Sequence, residues 1–368
     1  MGFISEHFLA SSDIVTVAQL TEFDEIIDAR SPAEFSDDHI PGALNFPVLS
    51  DDERAQIGLL YSASSFRAKK IGAALVARNI AQHLDTNFVD KPKAWRPLVY
   101  CWRGGARSEA FTHVLRQVGW NARRLQGGYK AYRRAVVADL QMLPADFDWR
   151  VICGLTGSGK SLLLQALAAH GAQVLDLEQM AAHRGSVLGQ LPDQAQPTQK
   201  MFDSRVWSAL RGFSDSKPVY VEAESRKIGN LRVPENLIAG IWQAPCVRLE
   251  APIALRVQLL KNEYAHFLRN VPALNAKLQC LTALYGHVII DRWMALAKNS
   301  EWDALVQELL ERHYDPAYTR STLTHYQRYD ECIEIRATGS KAASFKELAG
   351  ALLKDETVTT AIAEPICP

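Results

Sequence analysis

The sequence predicts two α/β domains in tandem, the second of them carrying a helical extension. Three observations lead there. At 368 residues the chain is longer than one ordinary core can organise. Short apolar runs alternate with helix-period segments through the first half, and again after residue 149, which is the rhythm of parallel strands joined by crossover helices. Two of the strands, PLVYC (97–101) and RVIC (150–153), run into glycine-rich stretches followed by helical spacing. A strand, a glycine loop and a helix N-terminus in that order aim backbone N–H groups at an anion.

Taken in order, EIIDAR (25–30) reads as a strand, FRAKKIGAALVARNIAQHL (66–84) as a helix, PLVYC as a strand and ARSEAFTHVLRQVG (106–119) as a helix. Residues 143–148, with Pro144 among polar and acidic neighbours, read as a linker. The domains are therefore expected at 1–142 and 149–368. In the second, strand-like runs fall at 149–153, 172–176, 219–222 and 246–249. From about 252 the pattern turns almost wholly helical, as in LRVQLLKNEYAHFL and EWDALVQELLERHY, and predicts a helical subdomain over about 252–330.

Composition narrows the class. Apolar residues are 48% and charged residues 22% of the chain, the usage of a globular protein rather than a disordered or fibrous one. No stretch approaches the roughly 18 apolar residues of a membrane span and the N-terminus has no signal-peptide pattern, so a cytoplasmic protein with no membrane partner is expected. Gly2 is followed by Glu6 where a myristoylation signal wants Ser or Thr, and no lipid anchor is predicted. Six cysteines stand at 101, 153, 246, 280, 332 and 367 without a C-x-x-C pair, which argues against a disulfide framework or a zinc site, and no structural metal is expected. Net charge is zero, but residues 1–53 hold twelve carboxylates and one arginine, whereas residues 54–134 hold sixteen Lys or Arg against Asp85, Asp90 and Glu109. A basic segment of that density suggests an anionic partner; acidic and basic stretches facing each other across the fold would explain it equally well.

Cys101 ends its strand and begins Cys-Trp-Arg-Gly-Gly-Ala-Arg-Ser. The following helix dipole, Arg103 and Arg107 favour the thiolate, the nucleophilic form, so Cys101 is the candidate nucleophile with Arg103 and Arg107 as its anion-binding partners. The second loop, Gly154-Leu-Thr-Gly157-Ser158-Gly159-Lys160-Ser161, fits G-x-x-x-x-G-K-[ST] between a strand and a helix expected at 162–170. Its backbone would wrap a phosphate, Lys160 would supply mobile charge and Ser161 would reach a magnesium ion, the candidate metal there. Asp176 and Glu178 follow one strand, Glu222 and Glu224 another. Glu222 is the preferred acid or magnesium contact, with Asp176 the alternative. In the helical region Arg248, Arg256, Lys261, Tyr264, His266, Arg269 and Lys277 are candidates to line an RNA groove, although solvated helix faces show the same periodicity.

Upstream of the cysteine, Ile27-Asp28-Ala29-Arg30-Ser31-Pro32-Ala33-Glu34-Phe35 and His39-Ile40-Pro41-Gly42-Ala43 resemble the signature of the rhodanese family. That resemblance implies a sulfur- or selenium-carrying Cys101. Arg107 lies six positions after the cysteine rather than the usual five, a spacing similar to that of the cysteine phosphatases. Over nearly the whole chain the pairing of this loop with a P-loop resembles the tRNA 2-selenouridine synthase family; His183-Arg184-Gly185-Ser186, Gln196-Pro197-Thr198-Gln199-Lys200-Met201-Phe202 and Glu222-Ala223-Glu224-Ser225-Arg226-Lys227-Ile228-Gly229 carry the likeness. It implies replacement of sulfur by selenium in wobble 2-thiouridine of tRNA, with geranyl diphosphate and selenophosphate as co-substrates, a perselenide on Cys101, and Arg226, Lys227, Arg256, Lys261 and Arg269 as tRNA contacts. A selenophosphate-producing enzyme would be a partner. Two other readings stay open: a cysteine phosphatase or sulfurtransferase fused to a P-loop kinase or ATPase, and a nucleotide-switched RNA-binding module.

Overall fold

The computed structural model describes residues 13–192 and 194–362, with side chains to residue 354. Gly2, Glu6 and Cys367 lie outside the described residues. The chain divides into two compact units, the first ending at Asp139 and the second beginning at Leu140.

The first unit is a five-stranded parallel sheet flanked by helices. In chain order its elements are β1 (Ile14–Val15), β2 (Glu25–Asp28), α1 (Pro32–Asp37), β3 (Leu44–Asn45), α2 (Asp51–Ala63), α3 (Ser65–Thr86), β4 (Pro97–Tyr100), α4 (Ala106–Val118), β5 (Arg123–Leu125) and α5 (Gly128–Met142). The sheet order is β1-β5-β4-β2-β3, so β4 is central and its C-terminal end opens onto the cysteine loop. All four residues of β4 are buried, which is why the strand reads as a continuous apolar run rather than an alternation. Ile27, Val99, Phe111, Leu115 and Ile80 close the core around it. Ser31 and Ser50 cap α1 and α2 as capping boxes with Glu34 and Glu53.

The second unit holds β6 (Trp149–Cys153), α6 (Lys160–Ala169), β7 (Gln173–Leu175), α7 (Leu177–Ala181), α8 (Gln199–Gly212), β8 (Val219–Glu222), β9 (Lys227–Ile228), β10 (Leu231–Arg232), α9 (Glu235–Gln243) and β11 (Cys246–Glu250). Then come α10 (Ile253–Glu263), α11 (Ala265–Arg269), α12 (Val271–Gln279), α13 (Thr282–Lys298), α14 (Trp302–Leu309), α15 (Asp315–His325), β12 (Ile333–Arg336) and α16 (Ala342–Ile362). Its main sheet, β12-β11-β6-β8-β7, is parallel throughout, with the P-loop strand β6 at the centre.

The helical region from α10 to α15 lies between two strands of the sheet, because the chain returns as β12 beside β11, and α16 packs Phe345, Ala349 and Leu352 against Leu163, Leu164 and Leu167 of α6. One expectation changes. The segment at 143–148 is no free linker: residues Leu143–Asp146 form a 3₁₀ turn, Pro144 is buried, and its carbonyl accepts from Trp149 Nε1 at 2.8 Å. Among the described residues no helix is long and apolar enough to cross a membrane.

Candidate functional site

In the first unit, Cys101 is 3% exposed at the floor of its loop. Its Sγ lies 3.2 Å from Ser108 Oγ, one turn into α4, and 3.8 Å from the Gly105 carbonyl. The loop is held from behind by the start of α5, where Tyr129 N donates to the Cys101 carbonyl (2.8 Å) and Lys130 N to that of Trp102 (3.1 Å). This support depends on glycine. Gly128 has φ +56°, and a Cβ there would stand 2.2 Å from the Cys101 carbonyl oxygen and 2.4 Å from Gly104 N. Gly104 itself has φ +64° and would meet the Leu125 carbonyl at 2.7 Å.

The arginines divide. Arg103 is exposed. Arg107 turns to α1, its Nη1 3.1 Å from Glu34 Oε2, which also receives Arg54 Nε of α2 at 3.0 Å. Burial works against ionisation of Glu34, but the two guanidiniums outweigh it and hold the carboxyl below the usual range. Below them Asp28 and Arg30 form a buried pair, with Arg30 stacked over Tyr129 at 4.0 Å and its Nη2 donating to the Asp38 carbonyl at 2.6 Å. That pair ties the rhodanese-like signature at 27–35 to the support of the cysteine loop.

In the second unit the P-loop joins β6 to α6. Lys160 Nζ folds back onto the Gly154 carbonyl at 2.9 Å and lies 5.3 Å from the Tyr318 ring; Tyr318 Oη accepts from Gly154 N at 2.8 Å. Gly157 (φ +78°) and Gly159 (φ +93°) admit no side chain, since a Cβ would strike Leu260 at 2.7 Å or the Phe345 ring at 2.4 Å. Ser158 Oγ is buried without a hydrogen-bond partner. Gly157, Gly159, Lys160 and Ser161 line a cavity of about 800 Å³, a size that takes a substrate rather than a water cluster.

Across this cavity stand three carboxylates. Ligand oxygens of Glu178, Glu222 and Glu224 lie within 4.8 Å of one another, a set that would suit a divalent cation. Burial and mutual repulsion push Glu178 and Glu222 well above the usual carboxylate range, and burial brings Glu224 up to about 7 with Lys160 pulling the other way. Glu222 is 1% exposed and its Oε1 has no partner. Asp176 lines the same cavity but spends its carboxylate capping α7, accepting from Gln179 N at 2.8 Å, and is not one of the three.

The expected tRNA contacts separate. Arg226, Lys227 and Arg269 are exposed. Arg256 is a correction: it is 4% exposed, donates from Nε to the Thr156 carbonyl at 2.9 Å, and pairs with Asp315 at 3.0 and 2.5 Å. It braces the P-loop and faces no solvent. Lys261 is tied to Asp303. Sequence reasoning did not reach Ser108, the Gly127-Gly128 support, Tyr318 or Asp315. Only the double glycine after β5 carried a readable signal, a positive-φ pair before a helix.

Residues 15–135 match the model of the rhodanese-like domain, and residues 147–285 that of the tRNA 2-selenouridine synthase AAA domain. The chain is 31% identical over 323 residues to the tRNA 2-selenouridine synthase of Aeromonas salmonicida, covering 80% of this chain and 86% of that one. It is 36% identical over 248 residues to the enzyme so named from Shewanella piezotolerans, 66% of each chain, and 32% identical over 247 residues to that of Nitrosomonas europaea, 65% of this chain and 63% of the relative. A cysteine loop on a rhodanese-like sheet and a P-loop on a second parallel sheet define a two-domain enzyme with a buried loop thiol in one unit and a cavity beside the P-loop in the other. The chain belongs to the tRNA 2-selenouridine synthase family.

Proposed function

We propose that this enzyme converts wobble 2-thiouridine of tRNA to 2-selenouridine in the cytoplasm in two stages divided between its units. In the first, the P-loop cavity holds geranyl diphosphate. The thiocarbonyl sulfur takes the geranyl carbon, and Lys160 with the loop N–H groups receives the negative charge that develops on the departing diphosphate. This step matters because a thiocarbonyl sulfur leaves poorly, whereas the alkylated sulfur departs as a thiol. In the second stage the Cys101 thiolate attacks phosphorus of selenophosphate and breaks the Se–P bond, and the selenide so released adds to C2 of the activated base; the C2–S bond breaks to release the geranyl thiol, and water cleaves the S–P bond on Cys101 to release phosphate. Arg103 and the loop backbone bind the anionic donor, with Arg107 recruited from Glu34. A divalent cation, magnesium being the candidate, would be held by Glu222 with Glu178 and Glu224, where it would offset charge on the diphosphate.

The reading is carried by one observation: a shielded loop thiol and a phosphate cavity of substrate size occur in one chain whose relatives bear this name. Mass spectrometry of tRNA nucleosides from cells with each variant as sole copy tests it. Lys160→Ala removes the main charge on the leaving group, a loss of roughly 2.7–4 kcal/mol if comparable to one oxyanion donor, so 2-thiouridine persists. Cys101→Ala leaves the P-loop intact, so S-geranyl-2-thiouridine accumulates without selenium. Normal 2-selenouridine with Lys160→Ala, or loss of geranylation with Cys101→Ala, would refute the division of labour.

A further inference from the structure

Several cations of the first unit are neutralised where they stand: Arg54 and Arg107 by Glu34, Lys91 by Glu25, Arg96 by Asp24, Arg116 by Asp13 and Arg124 by Glu109. Helix α3 differs in gathering cations on one element without such partners. Arg67, Lys69, Lys70 and Arg78 are exposed, and among the described residues none of them forms an ion pair. Helical periodicity puts Arg67, Lys70 and Arg78 on one face, with Ala74 and Ala77 between Lys70 and Arg78 and Ala81 just beyond, all exposed. Small side chains between cations leave room for a polyanion to lie along the helix.

The same hairpin exposes apolar rings at its tip. Tyr61 is 53% and Phe66 77% exposed, next to Leu59 at 75%. They are not needed to hold the hairpin together, since Ile57 packs at Gly72 and α3 sends Ala68, Val76 and Ile80 inward. Unpaired cations beside exposed rings, with only alanines between them on the outer face, fit phosphates and stacked bases better than a bilayer, which would ask for large apolar side chains along that face. Helix α2 also begins at the chemistry: Arg54 in its first turn shares Glu34 with Arg107 of the cysteine loop. From there to the end of α2 is about 14 Å at 1.5 Å per residue.

We propose that the tip of the α2–α3 hairpin and the outer face of α3 are a docking surface for single-stranded RNA, the phosphates on Arg67, Lys70 and Arg78 and a base on Phe66 or Tyr61. Identification of that RNA as the loop of the substrate tRNA rests on the function proposed above. The surface would lead the strand toward the Cys101 loop.

The test is binding of labelled tRNA to the full-length protein across a salt series. Each cation–phosphate contact on a single strand contributes about 0.7 to the slope of log K against log salt, or about fourfold at about 0.15 M. The triple variant Arg67→Ala/Lys70→Ala/Arg78→Ala should therefore lose roughly fiftyfold in affinity and about 2 in slope. Phe66→Ala should lose roughly fivefold or more with the slope unchanged, as for one stacked base. All four side chains are exposed, so thermal unfolding should match the wild type. Wild-type affinity and slope in the triple variant overturn the docking surface while leaving the function standing, whereas failure of the wild type to bind tRNA strikes at the function itself. Equal competition by duplex RNA overturns the stacking. Loss of binding to anionic lipid vesicles in the same variants, with tRNA binding intact, replaces RNA by a membrane surface.

Discussion

Arg256 gives the sharpest contrast between a sequence-based expectation and the packed structure. As an RNA contact its loss would weaken phosphate binding and leave the fold alone. As placed, the guanidinium holds the Thr156 carbonyl of the P-loop and both oxygens of Asp315 on α15 while 4% exposed. Arg256→Ala would strand a carboxylate and leave a loop carbonyl unpaired. Removing one partner of a buried ion pair costs about 3–5 kcal/mol; the 23% exposure of the Asp315 side chain puts this case at about 3, and the lost carbonyl bond adds about 1. For a unit of this size each kcal/mol moves the unfolding midpoint by about 2–4 °C, so the second unit should melt roughly 10 °C earlier in calorimetry of the whole chain. The first unit's transition should stay in place as an internal reference. Arg256→Lys should recover only part of the loss, because an ammonium cannot make the two-pronged contact. Asp315→Asn in the Arg256→Ala background should recover much of it, because the stranded charge is gone. An unchanged melting profile together with a tRNA salt slope lower by about 1 would refute the bracing role and restore Arg256 to the RNA surface.

Three further outcomes follow from the geometry. Gly128→Ala should destabilise the first unit by about 2–5 kcal/mol, left-handed backbone costing about 1–2 and overlap with the Cys101 carbonyl about 1–3; an unchanged denaturant midpoint would count against the loop support. The raised carboxylates of Glu178, Glu222 and Glu224 bind protons more tightly folded than unfolded, so their contribution is present below the unfolded value near 4.5 and is lost as pH rises through about 7 for Glu224. Melting temperatures of the second unit should fall across that window, Glu224→Gln should flatten the fall, and added magnesium should reverse it with release of protons; a flat profile in the wild type would argue against the cluster. Gly159→Ala should abolish geranylation, because the new methyl group meets the Phe345 ring at 2.4 Å with φ at +93°, and normal 2-selenouridine in that variant would show that the loop tolerates a side chain.

How far the sequence could be read depended on whether the deciding contacts were local. β4 was legible because a fully buried parallel strand is a continuous apolar run, and β6 nearly so, with only Arg150 half-buried in it; each leads into glycines whose positive φ no other residue adopts cheaply. Cys101 and Lys160 were legible for the same reason, since a loop between strand and helix places them within a few residues of their neighbours in sequence. β12 was not, because Ile333–Arg336 is four residues long, mostly exposed, and becomes a strand through its pairing with β11, whose Val247 lies opposite Ile333 from 86 positions earlier. Arg256 could not be assigned either: its partner Asp315 is 59 positions away, and on a helix that also carries Lys261 and Glu263 a buried brace looks like a solvated cation. The three glutamates show the limit from the other side. Each follows its strand as an acid partner should, and Glu222 could be singled out by its place after VYV. That Glu178 and Glu224 converge on it is a property of β7 and β8 lying side by side, Leu175 against Val221. Sheet order makes the cluster, and sheet order is what a linear pattern leaves open.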